Sequence, residues 1–258
     1  MPALRILTLN LLQDDWLRRE RTDLALEEIK RLKPDVLMLQ EVDISGGVHK
    51  IFNRALPGYN MLICRRSGID SSYGSAVFTK YKPLGSRRLA FSQNRVAQLV
   101  PLNIGGKRIN FVNVHLYFSP FKDRARQEQV IKVLRFAGSP AVIAGDFNAL
   151  PRNTSVKMMQ PEFASAHKKV HGREPARTYP SPLWRGKGAR HSLRRAVILL
   201  WKLLTFRAKK DWAGTIDYIF ISKGLKAKKC EVVFNKPAHN DKKLYASDHF
   251  GLMADIEF

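Results

Sequence analysis

Cysteine is scarce: Cys64 and Cys230 are the only two among 258 residues. Two thiols without metal-type spacing exclude a disulfide framework and a cysteine-rich metal site. They read as structural thiols in a reducing compartment, with no disulfide-linked partner expected. Long apolar runs are lacking too, and none reaches the ~18–20 residues that a spanning helix needs. The stretch Ile6–Leu12 is broken by Thr8 and Asn10 and followed by Asp14-Asp15, unlike a secretion signal. The expectation is a soluble, intracellular, cytoplasmic protein. Acidic residues are few, 22 against 45 Lys plus Arg, for a net charge of +23. A field of that sign says little about fold but favours a polyanionic partner, either nucleic acid or an anionic membrane surface. Internal repeats and low-complexity linkers are absent, so residues 1–258 read as a single domain with a substantial core.

What the chain does have is a set of apolar runs that each end on a polar residue suited to phosphate chemistry. Leu4–Leu9 runs into Asn10, Val36–Gln40 into Glu41, and Ile109–Val114 into His115. Ala141–Ala144 runs into Gly145-Asp146-Phe147-Asn148, and Thr215-Ile216-Asp217-Tyr218 and Ser247-Asp248-His249 follow near the C-terminus. Runs of this length read as buried strands, so their polar ends would gather along one edge of a sheet core. A carboxylate, amide or imidazole placed there costs desolvation unless something pairs with it.

Strand and helix signals alternate along the chain. Thr22–Leu32 places Ala25, Ile29 and Leu32 on one helical face, with Pro34 beyond its end. Lys122–Phe136 carries Val130, Val133 and Leu134 at helical spacing, with Ala137 continuing that face. Strands are expected at Val36–Leu39, Gly74–Thr79, Arg95–Leu102, Ile109–Val114, Ile216–Ile221, Cys230–Phe234 and Leu252–Phe258. Gly105-Gly106 predicts a hairpin, so part of the sheet is antiparallel.

One segment differs in texture. Residues 181–212 hold nine Lys/Arg against a single acid, Asp211, around an apolar centre, Ala196–Phe206. This basic-hydrophobic insert reads as a helix packed on the domain, a nucleic-acid-facing arm, or a helix lying on a membrane surface.

Taken in order, Leu9-Asn10, Leu39-Gln40-Glu41-Val42, Asn113-Val114-His115-Leu116, Gly145-Asp146-Phe147-Asn148, Ile216-Asp217-Tyr218 and Ser247-Asp248-His249 resemble the endonuclease/exonuclease/phosphatase, or DNase I-like, superfamily. The resemblance covers nearly the whole chain, with Tyr73–Phe78 and Arg95 in support. It implies an α/β four-layer sandwich, two mixed β-sheets flanked by helices, and metal-dependent hydrolysis of phosphate esters. By the same resemblance Glu41 is a direct Mg²⁺ ligand supported by Asn10, with Asp248 a further metal-side carboxylate. Mn²⁺ is the alternative metal.

The residue types suit that chemistry. A phosphodiester repels nucleophiles, so catalysis needs charge neutralisation, a positioned water and help for the leaving oxygen. Mg²⁺ takes one or two carboxylates and keeps several waters. Asp146 and Asn148, two apart, would hold the attacking water. Asp217 and His249 form an Asp–His pair in which the carboxylate fixes the imidazole tautomer. His115 would hydrogen-bond a phosphate oxygen, and Arg95 would meet substrate. Either His249 or Asp146 could take the water's proton.

Two departures narrow the resemblance. Leu12 stands where some family endonucleases carry an acid near a second metal, which favours one Mg²⁺. His115 stands where abasic-site endonucleases have a tyrosine. The chain is closer to the branch of DNase I-like nucleases, deadenylase-like exonucleases and sphingomyelinases, a branch that Asn148-Ala149-Leu150-Pro151 also fits. The leading expectation is a Mg²⁺-dependent nuclease on DNA or RNA, its insert aromatics Trp184, Trp201 and Trp212 stacking on bases. The alternatives are a phospholipid or sphingomyelin phosphodiesterase or inositol-phosphate phosphatase at a membrane, and a non-catalytic nucleic-acid-binding protein on the same fold.

Overall fold

The computed structural model describes residues 3–13, 17–66, 68, 71–119, 123–183 and 213–258. Nearly all of the basic-hydrophobic insert, with its three tryptophans and the apolar run 196–206, therefore lies outside the described residues. Among the described residues no helix is long and apolar enough to cross a membrane.

Two six-stranded sheets form the centre. The first contains β1 (Leu4–Asn10), β2 (Val36–Asp43), β3 (Asn60–Arg65), β4 (Tyr73–Thr79), β11 (Lys226–Val233) and β12 (Gly251–Glu257), in the order β11-β12-β1-β2-β4-β3. The second contains β5 (Arg87–Ala90), β6 (Val96–Ile104), β7 (Lys107–His115), β8 (Ala141–Asp146), β9 (Phe163–Ser165) and β10 (Asp217–Ser222), in the order β5-β6-β7-β8-β10-β9. Each sheet has one parallel pair, β1/β2 and β7/β8, and is otherwise antiparallel.

Strand alternation builds the layers. Leu4, Ile6, Val36 and Met38 face the opposite sheet and pack with Val100, Leu102, Phe111, Val142 and Ile219. Their neighbours Leu7, Leu9, Leu37 and Leu39 point outward, under α1 (Arg18–Leu32) and α2 (Val48–Ala55). On the second sheet Leu99, Val112, Val114 and Ile143 face outward against Val130, Val133 and Ala137 of α3 (Asp123–Ala137). Strands covered on both faces are apolar at most positions, which explains the runs, and their buried polar exceptions such as Thr8 and Asn113 are hydrogen-bonded. The result is the expected four-layer sandwich.

The crossovers α1 and α3 join the two parallel pairs, as parallel strands require. Both helices match the predicted spans to within a turn, α1 beginning at Arg18 rather than Thr22. Gly105 and Gly106 form the two-residue hairpin turn, both at positive φ (59° and 81°), the conformation such a turn demands. The sequence reading did not anticipate α2, β3, β5, β9, or the short helices α4 (Thr154–Lys157) and α5 (Ala166–His171).

A polar bridge crosses the apolar interface between the sheets. Gln40 Nε2 donates to Asn113 Oδ1 (2.8 Å), and Asn113 Nδ2 donates to Leu39 O (3.0 Å) and Ala76 O (3.2 Å). Both side chains are fully buried. Asn113→Ala is expected to destabilise the fold by about 1–3 kcal/mol, the cost of leaving buried partners unmade. Chemical denaturation checks this, and a midpoint unchanged from wild type would refute it.

Candidate active site

Strand direction collects the polar residues at one edge. The carboxyl ends of β1 and β2 lie side by side, with Asn10 opposite Gln40, and those of β7 and β8 do likewise, with His115 opposite Asp146. β10 runs antiparallel to β8 and starts with Asp217 opposite Asp146. β12 runs antiparallel to β1, so His249, two residues before it, reaches the same edge. β6 runs antiparallel to β7, which brings Arg95 to that edge just before its first residue.

Together they surround a cleft of about 210 Å³, lined by Leu12, Glu41, Arg95, His115, Asp146, Asn148, Tyr179, Asp248 and His249 among others. Asn10 lies beside it, donating from Nδ2 to Asp146 Oδ2 (3.1 Å) and accepting at Oδ1 from the Leu12 backbone N–H (3.0 Å). All nine residues expected from the sequence thus sit at this one edge.

Local backbone geometry aims several of them. Between the pairs Leu39–Ala76 and Val42–Gly74, β2 carries one residue more than β4. This bulge breaks the alternation that would send Glu41 under the helices. Glu41 accordingly has φ 55°, an uncommon conformation for glutamate and one often found at functional sites. Its carboxylate accepts the Gln13 backbone N–H at 2.8 Å. Asn148 is also left-handed (φ 48°), and its backbone N–H and Nδ2 donate to Asp146 Oδ1 (2.8 Å) and Oδ2 (3.1 Å).

His249 and Asp217 form the expected pair, with Nδ1 3.0 Å from Oδ2 and 3.2 Å from Oδ1. Thr178 Oγ1 accepts the Ile216 and Asp217 backbone N–H groups, and Ser247 Oγ accepts that of His249. These contacts fix where both side chains start. The Tyr179 ring packs against His249 with 4.9 Å between centroids.

The charges are arranged unevenly. Burial pushes the Asp146 carboxyl up to about 7, with Asp217 and Glu41 adding to the shift and His249 opposing it. His249 is pulled the other way: burial lowers it, but Asp217 first, then Asp146 and Asp248, raise it well above the usual histidine range. His115 Nε2 lies 3.6 Å from Asp146 Oδ2 and 3.8 Å from Glu41 Oε1, yet its pKa is well below the usual value. Burial dominates there, aided by the positive charges of Arg95 and Arg66.

Four carboxylates, Glu41, Asp146, Asp217 and Asp248, meet at or beside the cleft, a density of oxygen donors that suits a bound metal ion. Asp146, Asp217 and His249 lie close enough to hold one among the described residues. Glu41, Asp248 and the amide of Asn10 add oxygen donors around the same cleft, a set that fits a hard divalent cation.

Three residues escaped the sequence reading. Arg66 follows β3, packs against His115 and lies 3.9 Å from Glu41 Oε1. Its signal was available: Met61–Cys64 is another apolar run ending on polar residues, here Arg65-Arg66. Gln13 and Tyr179 come from loops, where no periodic pattern marks them.

A model of the endonuclease/exonuclease/phosphatase family matches residues 7–249. A curated relative, Carbon catabolite repressor protein 4 homolog 3 of Arabidopsis thaliana, is 30% identical over 157 residues. That match takes in 54% of this chain but only 34% of the relative, so the chain spans about a third of its length. Among solved structures, D. rerio TDP2 complexed with single strand DNA product superposes with a TM-score of 0.77 at 17% identity, covering 99% of both chains. The human Nocturnin catalytic domain with bound sulfate anion gives 0.73 at 24% identity, covering all of this chain and 94% of that one. A family match running from β1 to His249, on the two mixed sheets whose shared edge holds that match's polar residues, leaves one assignment: the chain belongs to the endonuclease/exonuclease/phosphatase family.

Proposed function

We propose that this protein is a divalent-metal-dependent phosphodiesterase, with Mg²⁺ as its metal, that hydrolyses nucleic acid. The observation that carries the reading is the convergence of Glu41, His115, Asp146, Asn148 and the Asp217–His249 pair on one cleft. Two further points favour a nucleic-acid substrate. The net charge of +23 suits a polyanion. A structural neighbour was solved with a single-stranded DNA product.

In this reading the scissile phosphate enters the cleft with its non-bridging oxygens toward Arg95 and His115. Asp146, oriented by Asn10 and Asn148, accepts the proton of the attacking water as its oxygen bonds to phosphorus. His249, held protonated by Asp217, donates from Nε2 to the phosphate and steadies the charge that develops there. The phosphorus–oxygen bond opposite the water breaks, and the leaving alkoxide takes a proton from solvent water to depart as an alcohol. Glu41, Asn10 and Asp248 would hold the cation, which supplies charge neutralisation to the phosphate when bound.

The test is hydrolysis of single-stranded DNA, RNA, sphingomyelin and an inositol phosphate, each with Mg²⁺ and with EDTA. Expected is cleavage of a nucleic acid that chelation abolishes and added Mg²⁺ restores. Cleavage confined to the lipid or the inositol phosphate would reassign the substrate. No hydrolysis of any of the four, with nucleic acid still bound, would leave a binding protein on the same fold.

A further inference from the structure

Arg66 is a buried guanidinium with no part in the chemistry above. Its side chain is only 2% exposed, although arginine is seldom buried without demanding partners. Nη1 donates to Gln13 Oε1 at 2.9 Å, and Nη2 lies 3.0 Å from His115 Nδ1. A guanidinium has five N–H donors and no acceptor. At 3.0 Å, Nδ1 must therefore be the lone-pair nitrogen of a neutral imidazole, and the ring proton sits on Nε2. The opposite tautomer, or the imidazolium, would set one N–H against another. Nε2 is also the nitrogen that faces the cleft, toward Asp146 and Glu41.

We propose that Arg66 is a positioning residue that fixes His115 as its Nε2–H tautomer, making it a donor directed at a non-bridging phosphate oxygen. Only the identity of that acceptor rests on the phosphodiesterase reading; the tautomer follows from the Arg66–His115 contact. The direction matters because an unprotonated Nε2 would turn a lone pair toward an anionic oxygen and repel it.

Gln13 completes the device. Its side-chain oxygen holds Arg66 Nη1 while its backbone N–H holds Glu41 Oε2 at 2.8 Å. One loop residue thus ties the guanidinium and the Glu41 carboxylate to a common point. The planar fork of arginine spans Gln13 and His115 at once, which the single ammonium of lysine does less well.

The experiment is long-range proton–nitrogen NMR on the full chain with ¹⁵N-labelled histidine, in EDTA at pH 7.5, for wild type, Arg66→Met, Arg66→Lys and Gln13→Ala. His115→Gln assigns the signal. Expected in wild type is a single His115 pattern with Nδ1 unprotonated and Nε2 protonated. Arg66→Met should give mixed tautomers, and Arg66→Lys should recover most of the wild-type pattern. Gln13→Ala should broaden or partly mix it while leaving the buried charge in place, which covers a failure of the Met variant to fold. A wild-type spectrum with Nδ1 protonated overturns the proposal, as does a pure Nε2–H pattern in folded Arg66→Met. On any phosphodiester the wild type cleaves, Arg66→Met should lower kcat by about tenfold or more, within the range of a lost directed donor, with Lys restoring part. If the wild type cleaves none, the functional reading falls while the spectra still decide the role of Arg66.

Discussion

Asp146→Ala is expected to lower phosphodiester hydrolysis by a factor on the order of 10²–10⁴ while leaving the protein folded. The size follows from how much converges on that carboxylate. It accepts hydrogen bonds from Asn10 and twice from Asn148, and it faces both histidines of the cleft. Removing it takes away the proton acceptor and the group that orients Asn10. The fold tolerates the loss, because the carboxylate is buried against other acids and burial already holds its charged form at a disadvantage. Asn148 Nδ2 also keeps its second acceptor, the Leu116 carbonyl. Initial rates with Mg²⁺, read beside far-UV circular dichroism, check the result. A folded variant retaining more than about a tenth of wild-type activity, far outside the range for a lost acid–base group, would remove Asp146 from the mechanism.

The residue before it should behave in the opposite way. Gly145→Ala is expected to destroy the fold, or to lower the melting temperature by about 10 °C or more. Gly145 lies inside β8 at φ 141°, and a Cβ there would sit 2.0 Å from the carbonyl oxygen of Val114. That oxygen belongs to the neighbouring parallel strand β7, which is buried on both faces and cannot retreat. Strain and overlap act together, so the cost should exceed about 4 kcal/mol, a large part of the stability of an ordinary domain. Thermal unfolding of soluble protein measures it. A melting point within about 2 °C of wild type, less than 1 kcal/mol for a chain of this size, would mean that β7 and β8 separate more easily than their pairing implies.

The contrast between neighbours explains what was readable beforehand. Strands covered on both faces announce themselves, because burial keeps Ala141–Ala144 apolar throughout and Leu4–Leu9 apolar but for Arg5 and Thr8. Helices α1 and α3 showed the spacing of a single buried face. The two edge strands of the second sheet gave no such signal: β5 is mostly exposed and charged, Arg87-Arg88-Leu89-Ala90, and β9 has only three residues. In α2 the signal was there and was passed over: Val48, Ile51, Phe52 and Ala55 have helical spacing, though over only eight residues.

The sequence alone determined which chemistry could be assembled. Its apolar runs end on amide, carboxylate and imidazole groups, and a polar group at the end of a buried strand persists only where something pairs with it. Its order of motifs also matched the family. Tertiary structure decided where those groups meet and which way they point. Asn10 and Asp146 are 136 residues apart, yet their side chains touch, because two parallel strand pairs from different sheets end at the same edge. The bulge that turns out Glu41 depends on its pairing with β4, and the donor that orients His115 comes from the end of β3. Periodicity along a chain reports what is buried; strand partner and strand direction arise only when distant segments pair.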